Sequence, residues 1–333
     1  MESREVQLRQ RPVGMPENED FAVASVEVPD PRDGQVQVRN VCMSVDPYMR
    51  GRMVDRKSYV PPFQIGETLT GGAIGQVVRS RDGDFVEGDY VQSNNGWREA
   101  FTADGNALTK LGNLTAPASA YLGVLGMPGM TAYVGLLEVA ALKRGETVFV
   151  SGAAGAVGSI VGQIARLREC RVLGSAGNAD KVAWLTNDLG FDYAFDYHGG
   201  DLLNHLREGA PDGLDVYFDN VGGDHLQAAL FHMRPFGRLS LCGAISMYND
   251  TEPSPGPNNL TMAIGLGLTL RGFIVSHFSH LNEKFRSDME SWVASGEIKY
   301  SETVLNGIDR AAEAFIGLFT GVNTGKMIVN LED

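Results

Sequence analysis

Cysteine is scarce in this chain of 333 residues. There are three, Cys42, Cys170 and Cys242, odd in number and far apart. That argues against a disulfide framework and for a reducing cytoplasm. Histidine is missing from the whole first half: all six lie at residue 198 or later, and no cysteine cluster stands in for them. Zinc catalysis needs clustered His and Cys ligands, so no metal is expected. His277 and His280, three apart in "HFSH", lack further ligands and read as surface or packing residues. Positive charge is also short, with 28 Lys and Arg against 41 Asp and Glu and a net charge of −13. Such a field repels nucleic acid and anionic membrane surfaces, and neither is an expected partner. No apolar run reaches membrane-spanning length, the nearest being "LTMAIGLGLTL". The opening "MESREVQLRQRP" is too polar for a signal peptide. A G-x-S-x-G elbow and a tyrosine–lysine pair four apart are absent too, which sets aside a serine hydrolase and a short-chain dehydrogenase.

What is present changes character near residue 122. Before it, short β-like runs such as "FAVASVEVP", "GQVQVRNVCMSV", "GGAIGQVV" and "GDYVQS" alternate with glycine and proline, which predicts an antiparallel, barrel-like domain. From about residue 147 strands alternate with helices. "TVFVSG" precedes a helix over 156–168 with Val157, Ile160, Val161 and Ile164 on one face. "RVLGSA", "YAFDY" and "LDVYFDN" precede helices over 179–188, 200–208 and 224–233. "GRLSLCG", a loop, "TLRGFIV" and a helix over 281–295 follow. Six strands joined by helices predict an α/β, doubly wound parallel sheet. The tail from residue 301 reads as a helix and a strand that return to the first domain.

"SGAAGAVGS" (151–159) lies at the first strand-to-helix turn of that alternation. Gly155 and Gly158 fill the last two positions of a dinucleotide fingerprint, and Ala153 replaces the first glycine. Gly155 would let the backbone approach a pyrophosphate, Gly158 would let the helix pack on its strand, and the helix N-terminus would face the phosphates. A plain tight turn is the alternative. The second strand ends in "LGSAGNADK", without the acid that binds ribose hydroxyls in NAD enzymes. Lys181 could pair with a 2′-phosphate, and Tyr197 could reach the same pocket, so NADP is the expected cofactor. Otherwise Lys181 is a solvated helix residue and Tyr197 core packing.

"VDPYMRGRM" (45–53), "GVLGMPGMTAY" (123–133), "DNVGG" (219–223), "CGAISMYND" (242–250) and "GVNTGK" (321–326) resemble the zinc-independent medium-chain dehydrogenases/reductases. Within these they are similar to the NADPH-dependent alkenal and curcumin reductases, relatives of prostaglandin reductase. The resemblance runs nearly end to end. It implies a GroES-like β-rich catalytic domain, 1–122 completed by 300–333, and a Rossmann NADP-binding domain, 123–299. It also implies reduction of a carbon–carbon double bond conjugated to a carbonyl, and a small unsaturated carbonyl substrate. A homodimer in the cytoplasm is expected.

Residue by residue, the resemblance places Gly155, Ala156, Val157 and Gly158 on the pyrophosphate, and Lys181 and Tyr197 on the 2′-phosphate side. Asn220 becomes a cofactor contact. Cys242, Gly243, Ala244, Ile245 and Ser246 line the nicotinamide ribose. Phe273, Ile274 and Val275 offer backbone to the nicotinamide amide, and Asn323 reaches the nicotinamide from the tail. Relatives often have serine at the position of Asn178, and an asparagine still donates there. Asn220 and Asn323 would otherwise be turn residues. Tyr248 is the candidate catalytic residue, a donor to the carbonyl oxygen as an enolate forms, with the cofactor's ribose hydroxyl sharing the task. Tyr48 and Tyr59 are substrate candidates, and Tyr48 reads equally as a packed core aromatic. Met127 and Met130 read as packing, and Cys242 as a small residue with no base beside it. Two other functions stay open: a quinone oxidoreductase of the same superfamily, and an NADP-binding protein without turnover.

Overall fold

Burial alternates along Phe21–Glu27 in the first part of the chain and is continuous along Thr147–Val150 in the second. The computed structural model, which describes residues 1–332, divides into two units. One comprises Met1–Leu122, Glu302–Asn323 and the tail from Met327; the other comprises Gly123–Ser301 with Thr324–Lys326.

In the first unit the strands are β1 (Glu2–Leu8), β2 (Phe21–Glu27), β3 (Gln35–Ser44), β4 (Ala73–Ser80), β5 (Tyr90–Ser93), β6 (Ala100–Asp104) and β7 (Thr109–Lys110), with a short helix α1 (Met49–Arg52). The second unit has β8 (Thr147–Val150), β9 (Arg171–Ala176), β10 (Tyr193–Asp196), β11 (Leu214–Asp219), β12 (Met233–Leu241) and β13 (Thr269–Gly272). Its helices are α2 (Met127–Val134), α3 (Gly158–Leu167), α4 (Ala179–Asn187), α5 (Leu202–Gly209), α6 (Gly223–His232), α7 (Met262–Leu266) and α8 (Asn282–Ser295). β14 (Glu302–Asn306), α9 (Ala311–Thr320) and β15 (Lys326–Asn330) follow.

The first unit is built on antiparallel ladders. β1 pairs with β2 from Glu2↔Glu27 to Leu8↔Phe21, and a larger sheet runs β14-β15-β3-β4-β5-β7 with β6 also on β3. Leu8, Met43, Met49, Trp97 and Phe315 are fully buried together. Phe21 stacks on Trp97 at 6.1 Å, and Phe315 meets both rings edge-on. Loss of these apolar surfaces to water is the main force holding α9 against the strands.

The second unit is a six-stranded parallel sheet in the order β10-β9-β8-β11-β12-β13. Numbered along the chain, this is the 3-2-1-4-5-6 order of a Rossmann sheet. β8 lies at its centre, so all four residues of "TVFV" are buried. The order reverses there, and the crevice for a ligand opens at the carboxyl ends of β8 and β11.

The helices depart from the periodicity at several ends. α3 begins at Gly158 rather than 156, because residues 151–157 are spent on the turn. The helix expected over 200–208 is shifted to Leu202–Gly209. β13 stops at Gly272, leaving Phe273 and Ile274 in a loop and Val275 at the start of a 3₁₀ helix, Val275–Leu281. α2 and α7 were not expected, and α7 is ended by Gly267 in the left-handed conformation (φ +62°). The tail adds β14 before its helix and strand. Among the described residues no helix is long and apolar enough to cross a membrane.

Candidate active site

The chain must reverse between β8 and α3, and Gly152 makes this possible. Its φ of +59° lies in the left-handed region that glycine enters at little cost. The fingerprint reading looked to Ala153 for the first glycine; the one with the special backbone is Gly152, one residue earlier. Gly155 N–H donates to Gly152 O at 3.1 Å. A Cβ on Gly158 would stand 2.5 Å from Gly152 O and 2.8 Å from Ala153 Cα, so only glycine lets the helix start this close to the turn. The tail braces the same turn. Gly325 N–H donates to Ala154 O at 2.8 Å, and Gly155 and Gly325 form a parallel bridge. Gly325 has a φ of +67°, and a Cβ there would collide with Ser301 O.

At the end of β9, no acid follows Ala176 until Asp180, inside α4. Asn178 is the N-cap of that helix, and its Oδ1 accepts from Lys181 N–H at 2.9 Å. The capping oxygen is thereby used, and the Nδ2 hydrogens remain to be donated. Lys181 is 9% exposed and burial lowers its pKa, so it is not a solvated helix residue. Tyr197 follows β10 and is 39% exposed, so it is not core packing. Its Oη would stand 3.5 Å from a Cβ on Gly177, which brings it to the end of β9. Its ring lies 4.1 Å from that of His198 and meets His225 edge-on at 5.3 Å. His225 is buried, its Nε2 has no hydrogen-bond partner among the described residues, and burial pushes its pKa down to about 4.

At the ends of β11 and β12, Asp219 is buried and its Oδ1 accepts four hydrogen bonds. They come from Tyr217 Oη (2.7 Å), Ser151 Oγ (3.2 Å), Val221 N–H (3.0 Å) and Gly222 N–H (2.8 Å). Asn220 donates its side-chain amide to Ser151 O at 2.8 Å and its backbone N–H to Ser151 Oγ at 3.0 Å. Residues 242–248 then hang from residues 219–221. Cys242 and Gly243 N–H donate to Asp219 O, Ile245 N–H to Asn220 O, and Ser246 N–H and Oγ to Val221 O. Tyr248 closes this segment. Its Oη accepts from Ala244 N–H at 3.3 Å and would lie 3.2 Å from a Cβ on Gly243. Burial raises the pKa of this phenol above its ordinary 10, so at neutral pH it is a donor with its proton in place. Cys242 is half-buried, and burial pushes its thiol up to about 12.

Other candidates fall elsewhere. Phe273 packs edge-on against Phe218 and Phe278, and Ile274 O accepts from His277 N–H at 3.0 Å. In the first unit, Tyr48 is half-buried against the Met49 and Trp97 core, and burial, with Asp46 next in importance, raises its pKa. Arg52 lies beside it, with its guanidinium 3.9 Å above the Phe63 ring and 3.0 Å from Thr70 Oγ1. Tyr59 is 58% exposed and within electrostatic reach of both Tyr48 and Arg52. Asn323, half-buried, follows α9 in the same unit. Met130 is buried and Met127 is 39% exposed. Sequence reasoning missed Ser151, Gly152, Tyr217, Asp219 and Gly325. Asp219 and Gly325 stood in the quoted motifs "DNVGG" and "GVNTGK", but their partners are remote in sequence.

A family model described as the N-terminal domain of oxidoreductase matches residues 4–111, and one described as zinc-binding dehydrogenase matches residues 156–295. Among the described residues, no group of three or more His, Cys, Asp and Glu is placed to hold a metal ion. NADPH-dependent curcumin reductase from Escherichia coli is 42% identical over 97% of this chain and 95% of its own. Prostaglandin reductase 1 from Bos taurus is 44% identical over 97% of both. The crystal structure of CurA from Vibrio vulnificus in complex with NADPH is 40% identical and covers 99% of both chains with a TM-score of 0.95. Sheet order, glycine turn and matched models define an oxidoreductase of the medium-chain dehydrogenase/reductase type. The chain belongs, within that superfamily, to the family of the curcumin, prostaglandin and 2-alkenal reductases.

Proposed function

We propose that this protein uses NADPH to reduce the carbon–carbon double bond of α,β-unsaturated aldehydes and ketones, curcumin-like enones among them. The observation that carries the reading is Tyr248: a phenol kept protonated by burial, anchored through Ala244, on a segment hung from the end of β11.

The chain's own groups suit the dinucleotide. The turn at Gly152–Gly158 has no room for side chains at Gly158 and opens onto the N-terminus of the ten-residue helix α3, a site where a pyrophosphate finds unpaired N–H groups. Gly155, Ala156, Val157 and Gly158 would hold it. Lys181, Tyr197 and the free amide hydrogens of Asn178 suit a 2′-phosphate, and the absence of an acid at the end of β9 removes repulsion. Asn220, residues 242–246, the backbone of 273–275 and Asn323 would hold the nicotinamide half. Tyr48 and Tyr59 would contact substrate.

NADPH, when bound, supplies the hydride delivered to the carbon β to the carbonyl. Negative charge would then grow on the carbonyl oxygen, Tyr248 Oη–H would donate a hydrogen bond to it, and a proton from solvent taken up at the α-carbon would complete the reduction. The phenol need not give up its proton: its raised pKa makes it a stabiliser of the enolate rather than a strong acid. Because Oη already accepts from Ala244 N–H, its direction is set before substrate arrives.

Two finer points belong to the same reading. Three scattered thiols fit a cytoplasmic location. A homodimer is supported by β13, an edge strand of the parallel sheet with three of its four residues exposed, the kind of edge that pairs with a second copy. The test of function is NADPH oxidation with a panel of enals, enones and quinones. Turnover of enals above quinones is expected. Preference for quinones would replace the reading by a quinone oxidoreductase, and binding without turnover by a non-catalytic NADP protein.

A further inference from the structure

Tyr248 sits on a segment whose only regular structure is one 3₁₀ turn, Ile245–Met247. Such a segment takes its shape from whatever satisfies its N–H groups. Here the acceptors are three consecutive carbonyls, those of Asp219, Asn220 and Val221. The direction of those carbonyls is fixed in turn by the Asp219 side chain, which binds back to Val221 and Gly222 N–H and closes the turn ahead of Gly222 (φ +73°) and Gly223 (φ +51°). The same carboxylate oxygen accepts from Ser151 Oγ, one residue before Gly152 of the dinucleotide turn. Asn220 adds two more bonds to Ser151. Asp219 is 2% exposed and Ser151 is fully buried, so neither touches a ligand.

We infer that Asp219 is a positioning residue: through Ser151 on one side and the 219–222 turn on the other, it sets the register between the dinucleotide turn and the Tyr248 segment. This rests on the proposed reduction with Tyr248 as the oxyanion donor. The carboxylate acts by geometry, since one oxygen with four converging donors has little freedom to move. Removing it leaves two backbone N–H groups and two hydroxyls to find other partners, and the turn will reshape to supply them. A shift of about 1 Å at a reacting group costs on the order of 10²-fold in rate.

The experiment is a double-mutant cycle between Asp219→Ala and Tyr248→Phe, read as kcat on an enal, with the NADPH dissociation constant and melting temperature of each variant. Asp219→Ala is expected to lower kcat roughly 10- to 100-fold and to weaken NADPH binding several-fold. In its background Tyr248→Phe should then cost less than half of what it costs alone, because a displaced phenol has little left to lose. Asp219→Asn, which keeps an acceptor oxygen, should restore most of the NADPH affinity. Additive losses, or wild-type kcat and NADPH affinity with only a lower melting temperature, would overturn the positioning role. If Asp219→Ala does not fold, Ser151→Ala serves, since it removes one hydroxyl: about a 3- to 10-fold fall in kcat, non-additive with Tyr248→Phe, is expected, and a wild-type rate overturns the role. A wild-type protein that fails to turn over any enal would instead count against the reduction itself, and NADPH affinity would still read the link to the dinucleotide turn.

Discussion

The ends of β9 and β12 lie in one sheet and are built in opposite ways. At β9 the candidate side chains take most of their support from neighbours in sequence, though Tyr197 also meets His225 of α6. Asn178 caps its own helix, Lys181 sits on the first turn of that helix, and Tyr197 leans on the adjacent His198. At β12 the local bonds of Tyr248 stay within its own turn, Ala244 N–H to its Oη and its N–H to Ile245 O. The segment is held by carbonyls more than twenty residues earlier and, behind them, by Ser151 almost a hundred residues away. A phosphate can be recognised by charge and a few loose donors, so local capping suffices. An oxyanion needs its donor placed to a fraction of an ångström, and that calls for remote, buried anchors.

The contrast predicts that the β12 end breaks hardest. Tyr248→Phe should leave NADPH affinity and melting temperature near wild type while kcat on an enal falls by up to about 10²-fold, less if the ribose hydroxyl shares the load. A wild-type kcat, with a deuteride isotope effect showing that hydride transfer limits the rate, would remove the tyrosine from the chemistry. The activity should also hold through neutral pH and fall only as pH rises through the raised phenol pKa, because the donor form is the protonated one.

His225, the buried ring beneath Tyr197, gives the next effect. Its folded pKa of about 4 lies below the ordinary 6.5. The stability it permits is therefore full above pH 6.5 and is lost as pH falls toward 4, when the unfolded chain binds a proton that the folded one refuses. At about 1.4 kcal/mol per unit the loss approaches roughly 3 kcal/mol. His225 stacks on the Phe149 ring at 6.4 Å, and His225→Phe, stacking in the same way, should flatten acid denaturation over this window; an unchanged acid limb in urea titrations at several pH values would contradict the assignment.

At the β9 end, Lys181→Ala should raise the Michaelis constant for NADPH about tenfold or more while leaving that for NADH nearly unchanged. Equal effects on both would detach the lysine from the 2′-phosphate. Smallest of all, Asn178→Ala should cost about 1 kcal/mol as a lost helix cap, seen as a modest fall in melting temperature, whereas Asn178→Ser, which can cap equally well, should not.

The same distinction decides how much was legible in the sequence. The six strands, their Rossmann order and the glycine turn follow from short-range pattern, since a parallel βα alternation has few possible topologies. The missing acid, and Lys181 as the nearest cation, could be read from the sequence because both concern residues within a turn of the end of β9. Asp219 was visible in "DNVGG", but its task was not: Ser151 and the 242–246 N–H groups arrive only in three dimensions. Gly152 was passed over because a fingerprint counts glycines and not φ, and α7 escaped because "TMAIGL" is apolar without a helical stripe. Gly325 gave no local sign that its backbone would brace Ala154.

The three thiols have a consequence for the lifetime of the protein. Enals are electrophiles that capture thiolates at the same β-carbon that would receive the hydride, so an enzyme handling them risks alkylation by its own substrate. Cys42 is buried and its thiol pushed up to about 12, Cys170 is buried and raised, and Cys242, close to Tyr248, is pushed up to about 12 as well. At neutral pH almost none of these sulfurs is ionised, and the attack requires the ionised form. The burial and the neighbouring Asp219 that hold the Cys242 thiol protonated thus lower its reactivity toward the compounds the protein is proposed to reduce.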